Sequence, residues 1–150
     1  MPFTPFHLGI ALLIWIVFYN YLDIIWLLVG SIILDAWPFL VLVFNLPYGF
    51  HGFSHSFLIA LVVSLILTLG LFNLKFLKLK KSFVSIFSSF VIGTFSHVLL
   101  DAPLYQDMTP FWPLSWNPFL GLYSYSAAVW FSIICFVLAF VLIFINRKRY

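Results

Sequence analysis

HGFSHSFLIALVVSLILTLGLF, residues 51–72, opens with two histidines and then runs apolar for about the length of a helix that spans a bilayer. Similar runs fill most of the chain. With 65% hydrophobic, 22% aromatic and 7% charged residues, the sequence lies far from the roughly 25% charged composition of soluble domains. It is an integral membrane protein by composition, and the expected fold class is all-α, a polytopic bundle of about five transmembrane helices. The 150 residues suffice for one such bundle, so a single domain over 1–150 is expected.

Local signals divide the runs. Thr4 is a plausible N-cap with Pro5 at the first helical position, which predicts a helix over about 5–21 with His7 in its first turn. The N-terminus has no basic stretch before its apolar run and no small-residue cleavage pattern, so this helix is expected to remain in place. Residues 20–23 read as a turn, with Asp23 capping the next helix. The segment 23–46 is long enough to span, but Pro38 in DAWP cannot donate to the Leu34 carbonyl and should kink or break it. NLPYGF reads as a turn. Further helices are expected over 51 or 54 to 73, over 82–101 and over 122–145. Between the last two, a stretch rich in proline and tryptophan suits an ordered interfacial loop, with Trp112 and Trp116 as interface anchors.

All seven basic residues lie in two groups, Lys75, Lys78, Lys80 and Lys81, then Arg147, Lys148 and Arg149. Positive charge favours the cytoplasmic side, so both groups are expected there, with the C-terminus in the cytoplasm and the N-terminus outside the cell membrane. The net charge of +3 is thus a matter of topology, and no nucleic acid contact is expected. Cys135 is the single cysteine and lies in an apolar run, which excludes an internal disulfide.

The polar residues left in the runs are the informative ones. At about 1.5 Å of rise per residue, straight helices would put Asp35 roughly 18 Å above the inner turns, and His7 and His97 roughly 20–24 Å. His55 and Asp101 would stand roughly 30 Å up. All fall in the outer half. Positions four apart share a helix face, so His51 with His55, and His97 with Asp101, can each offer two ligands to one ion. An ionised carboxylate in hydrocarbon costs several kcal/mol unless paired, hydrated or bound to a cation, and a divalent ion near Asp35 and Asp101 meets that need. Mixed imidazole and carboxylate ligands suit zinc, or manganese or iron where carboxylates dominate. A bound water could then attack an ester or phosphoester, with a free aspartate as general base. Neither G-x-S-x-G, nor a phosphate loop, nor C-x-x-C is present.

Each residue also has a structural reading. His7 could face headgroups, Asp35 could cap backbone amides freed at the proline break, and Asp107 could be a turn residue. Ser54, Ser56, Thr94 and Ser96 read as small packing residues between helices. Only the joint placement points to a site.

The motifs TPFHLG at 4–9, GSIILDAWPF at 30–39, HGFSHSF at 51–57 and GTFSHVLLDAPLYQDMTPFWPLSWNPF at 93–119 together resemble a family of small multi-pass, membrane-bound, metal-dependent hydrolases. That family includes the LexA-binding inner-membrane hydrolases, and the likeness covers about residues 4–121. The resemblance implies an active site at His7, Asp35, His51, His55, His97 and Asp101, with Asp107 matching a trailing aspartate. Where the family carries a second acidic residue two places after the first aspartate, Trp37 stands here, which leaves fewer carboxylates. A fainter likeness in ligand order to zinc-dependent phospholipases C implies a phosphoester substrate.

The expected metal ligands are therefore His7, Asp35, His51, His55, His97 and Asp101, and the expected catalytic carboxylates Asp35, Asp101 and Asp107. The function expected is hydrolysis of a membrane lipid or headgroup phosphoester by a metal-activated water, the ion being divalent, with zinc first. The alternatives are a metal-ion or proton carrier, and a membrane scaffold with a structural metal site. A carrier should continue its polar groups into the inner half, where the sequence offers almost none.

Overall fold

The computed structural model describes residues 5–74 and 81–145. The expected cap Thr4, the lysines 75, 78 and 80, and the basic group at 147–149 lie outside the described residues. The described chain is all-helical: α1 (Pro5–Phe18), α2 (Ile24–Ile33), α3 (Ala36–Phe44), α4 (Phe57–Asn73), α5 (Phe83–Asp101) and α6 (Tyr125–Ile145), with a 3-10 turn at Gly52–His55. α5 and α6 are long and apolar enough to cross a membrane. α2 and α3, bent by 41° at their junction, pass together as a third span, and α1 and α4 are shorter apolar helices. With α2 and α3 taken as one bent rod, the bundle has the five rods expected.

Capping follows the local sequence. The Asp23 carboxylate accepts from the amides of Ile25 and Trp26 to start α2, while its own amide donates to Ser89 on α5. Ser56 and Ser82 cap α4 and α5 in the same way. Pro38 sits in the first turn of α3, where the missing N–H has no intrahelical partner to lose. The break therefore comes earlier, at Leu34 and Asp35, where the Trp37 amide takes the Leu34 carbonyl in a tight turn. α3 ends at Asn45 in the left-handed conformation, φ 48°.

The packing is arranged for lipid. α6 buries Ala128, Ser132, Cys135 and Ala139 and leaves Trp130, Phe131, Ile134, Val141 and Phe144 exposed. In hydrocarbon, large apolar side chains gain nothing by turning inward, so small residues that let backbones approach form the interfaces. Gly9 of α1 meets the Ser132 carbonyl and the Phe136 ring in this way. The closest approach joins α2 to α5. A Cβ on Gly93 would fall 2.5 Å from the Leu27 carbonyl oxygen and 2.8 Å from the Ser31 amide, and one on Gly30 would fall 2.8 Å from the Phe90 carbonyl oxygen. Ser64 of α4 and Thr94 of α5 meet at 3.1 Å between the next pair of helices. α5 is thus the central rod, and it carries His97 and Asp101 in its last turns.

The connection over 102–124 is ordered, as its composition suggested. Asn117 donates to the Ala102 carbonyl, the Gly121 amide to the Pro103 carbonyl, and the Thr109 hydroxyl to the Gly52 carbonyl. The Phe57 amide, at the start of α4, donates to the Pro110 carbonyl. These bonds hold the 3-10 turn with His55 against the end of α5.

Candidate metal centre

Three elements bring one ligand atom each toward the α5 pair. His97 and Asp101, one turn apart, put Nε2 and Oδ2 at 3.4 Å. Asp35 enters from the α2–α3 break, its Oδ1 at 3.6 Å from His97 Nε2 and 3.8 Å from His55 Nε2. His55 enters from the end of the 3-10 turn. The ligand atoms of Asp35, His55, His97 and Asp101 all lie within 4.8 Å of one another, and this group could hold a metal ion. His7, in the first turn of α1, stacks on His97 with ring centroids 4.0 Å apart and places Nε2 at 3.5 Å from Asp101 Oδ1.

The cluster is dry. The side chains of His55 and His97 are 0% exposed and that of Asp101 2%, whereas Asp35 retains 15%. His55 Nε2, His97 Nε2, Asp101 Oδ1 and both ring nitrogens of His7 are buried without a hydrogen-bond partner among the described residues. Such atoms are rare in folded proteins because each costs about 1–3 kcal/mol.

Tautomers can be read from the far sides of the rings. His97 Nδ1 lies 2.7 Å from the Ser31 carbonyl oxygen, which only accepts, so Nδ1 carries the proton. The Ser54 hydroxyl donates to the His51 carbonyl at 2.6 Å and therefore accepts from His55 Nδ1 at 3.0 Å. With both rings neutral, each Nε2 turns a lone pair into the cluster. A neutral imidazole fixed through its other nitrogen is the arrangement that metal-bound histidines adopt.

The spacing also fits a cation. Bonds of about 2.0–2.2 Å at tetrahedral angles separate neighbouring ligand atoms by about 3.3–3.6 Å, whereas direct hydrogen bonds would draw them to about 2.7–3.2 Å. The separations of 3.4 and 3.6 Å fall in the first range, and that of 3.8 Å lies just beyond it. Donor type, tautomer, burial and spacing agree, so the residues present fit a divalent ion.

His51 takes a different position from the one its spacing suggests. Residues 51–55 do not belong to α4: the 3-10 turn covers Gly52–His55, the His55 amide donates to the His51 carbonyl at 3.1 Å, the two rings lie edge to face at 5.1 Å, and α4 begins only at Phe57. Gly52 at φ 35° and the clasp of the following loop account for the change. His51 turns to Asp107: its amide donates to Oδ2 at 3.1 Å and its Nδ1 lies 3.2 Å from Oδ1. The opposite side of the assembly is closed by Tyr105, whose ring stacks on His51 at 3.7 Å. Burial, and then the neighbouring His55, lower the His51 pKa and favour the neutral ring. Burial alone would raise Asp107, yet the His51 amide and ring outweigh it and hold the carboxyl below its usual range.

Asp35 does not cap α3, since its side chain makes no cap hydrogen bond there. Ser54, expected to be a packing residue, takes a part in the site, and two further groups escaped notice in the sequence. Ser54 and the Ser31 carbonyl fix the two ring tautomers, and Tyr105 lines the approach to the cluster. Ser54 stands next to His55 and Ser31 one turn before Asp35, so both were open to suspicion as partners of a ligand. Nothing near Tyr105 in the sequence marks it.

The helical rods and the buried histidine–aspartate cluster define a class: all-α membrane proteins with a candidate metal-ligand set enclosed within the bundle. Within that class the chain belongs to the YdjM inner membrane protein family, whose pattern matches residues 1–150. No curated protein and no solved structure matches it.

Proposed function

We propose that the protein is a metal-dependent membrane hydrolase that cleaves a lipid or headgroup phosphoester. The observation that carries this reading is the convergence of Asp35, His55, His97 and Asp101, with Nδ1 of each ring engaged away from the cluster. His55, His97 and Asp101 would hold the ion, Asp35 would complete the set, and His7 would steady Asp101 and His97 from behind. Zinc is the ion proposed first, with manganese and iron next. When bound, such an ion lowers the pKa of a water and polarises a phosphoryl oxygen.

The chain's own part follows from its exposure. Asp35 is the least enclosed of the four and lines a cavity of about 650 Å³. A water arriving there can lose its proton to Asp35 as it adds to phosphorus. The P–O bond to the leaving alcohol breaks, and the same carboxyl can return the proton to the departing oxygen. Asp107 acts at one remove by holding His51 in the cavity wall. Trp37 supplies no carboxylate; its indole donates to the Gly49 carbonyl at 3.3 Å and braces the connection between α3 and the 3-10 turn.

A carrier is disfavoured by the buried hydroxyls farther along the bundle. Ser64, Thr68 and Ser89 each donate to a carbonyl of their own helix, which makes them packing groups rather than a relay. The N-terminus is proposed outside and the C-terminus in the cytoplasm, on the two basic groups of the sequence.

Purified protein loaded with zinc should hydrolyse a phosphodiester, lose the activity to a chelator and regain it on adding metal. His55→Ala should lower turnover at least a hundredfold. Unchanged turnover in that variant would remove the cluster from the reaction.

A further inference from the structure

Among the described residues, the cavity beside Asp35 has a lining of two chemical kinds, one on the side of Asp35 and one on the side of the exposed α3 face. Its polar part is made by Asp35, His51, Tyr105 and Asp107. The other part is made by Pro38, Phe39, Leu42 and Phe50. Phe39 and Leu42, three apart on α3, share a face and are 64% and 69% exposed, so that part is continuous with the lipid-facing surface. Asp35 joins the two regions because it belongs both to the cavity and to the ligand cluster. The other three residues of the cluster are almost wholly enclosed, so the route to them runs past Asp35.

A volume of about 650 Å³ is of ligand size, within the range of about 300–1,000 Å³ common for small-molecule sites, and far beyond what an ion or a single water needs. A small water-soluble ester would leave the Phe39–Leu42 face unused. An amphiphile uses both parts.

We propose that this cavity is a lateral entry groove that seats the hydrocarbon tail of a membrane amphiphile on Phe39, Leu42 and Phe50 while its polar head lies between Asp35 and Tyr105. The proposal rests on the hydrolase reading for what happens to the head, and on the groove alone for how the tail is held. The bend between α2 and α3 serves it directly. By ending α2 at Ile33 and turning α3 away by 41°, the break leaves the Asp35 carboxylate in the cluster and a hydrophobic face along the groove. The Tyr105 hydroxyl is buried without a hydrogen-bond partner among the described residues, which leaves one donor unused beside the polar lining.

The test uses the full chain in detergent, loaded with zinc, and a long-chain alkyl phosphate bearing a diazirine near the tail terminus. Photolabelling should be saturable, should map by mass spectrometry to Phe39, Leu42 or Phe50, and should be competed by hexadecyl phosphate but not by methyl phosphate. Leu42→Trp, which fills the groove, should weaken the labelling at least tenfold, while Leu138→Trp on the lipid-facing side of α6 should not. In parallel, KM for p-nitrophenyl alkyl phosphodiesters should fall at least tenfold from methyl to hexadecyl. Saturable labelling on α3 without turnover of any ester would uphold the groove and remove the hydrolase. Turnover independent of chain length, with labelling spread evenly over α3 and α6, would overturn the groove and leave the hydrolase standing.

Discussion

His97 with Asp101 on α5, and His51 with Asp107 in the cavity wall, are the same two side chains in opposite circumstances. Their separations are similar, 3.4 Å and 3.2 Å. The wall pair is complete in itself: Asp107 takes both the amide and the ring of His51, and it keeps 45% of its side chain in contact with the surroundings. The inner pair is wholly enclosed, and it leaves His97 Nε2 and Asp101 Oδ1 without a hydrogen-bond donor or acceptor among the described residues. A buried charge with open valences is costly, so the inner pair makes physical sense around a cation, while the wall pair needs none. Identity of residue type therefore does not assign a role; the saturation of the surrounding atoms does.

The comparison can be broken most directly at its inner member. His97→Ala should abolish stoichiometric zinc in the purified protein, as read by elemental analysis on material shown to be monodisperse, and retention of metal would deny His97 a place in the cluster. Next in size is Gly93→Ala. Its new methyl would meet the backbone of Leu27 and Ser31, forcing α2 from α5, lifting the Ser31 carbonyl off His97 and costing about 3 kcal/mol. A lower unfolding temperature together with weaker metal binding is the expected result, and a change in neither would contradict the close approach.

Ser54→Ala sharpens the comparison further in. Without the hydroxyl, His55 Nδ1 loses its acceptor and the ring is free to present the wrong tautomer, so zinc affinity should drop about 10–100-fold with little change in fold, measured by competition with a chromophoric chelator. The smallest effect belongs to the wall pair. Asp107→Ala should leave metal content intact and cost about 1 kcal/mol for the bonds to His51, seen as a modest fall in thermal stability. Loss of metal in that variant would bring the outer pair into the centre and erase the distinction.

How much of this was legible beforehand varies with the residue. The spacing of His97 and Asp101 was enough, since a helix puts positions four apart on one face. The same spacing served His55, which belongs to the group that could hold a metal, but not His51, because the pair stands in and before a 3-10 turn outside α4 and His51 bonds Asp107. Depth was distorted too. Counting rise along straight rods separates Asp35 from Asp101 by roughly 12 Å, yet both belong to one cluster, because the count does not include the break and bend at Asp35.

By itself the sequence determined the lipid-facing rods, the shortage of charge that makes every aspartate in them conspicuous, and the His97–Asp101 pair. These depend on hydropathy and helical periodicity, which are local. Only the tertiary structure decided that Asp35 and His55 join that pair, that His51 turns away to Asp107, and that a hydroxyl and a carbonyl from elsewhere orient the two imidazoles. Those outcomes depend on how closely backbones approach across Gly30 and Gly93 and on how a distant loop clasps a turn, and contacts between segments far apart along the chain leave no period in it.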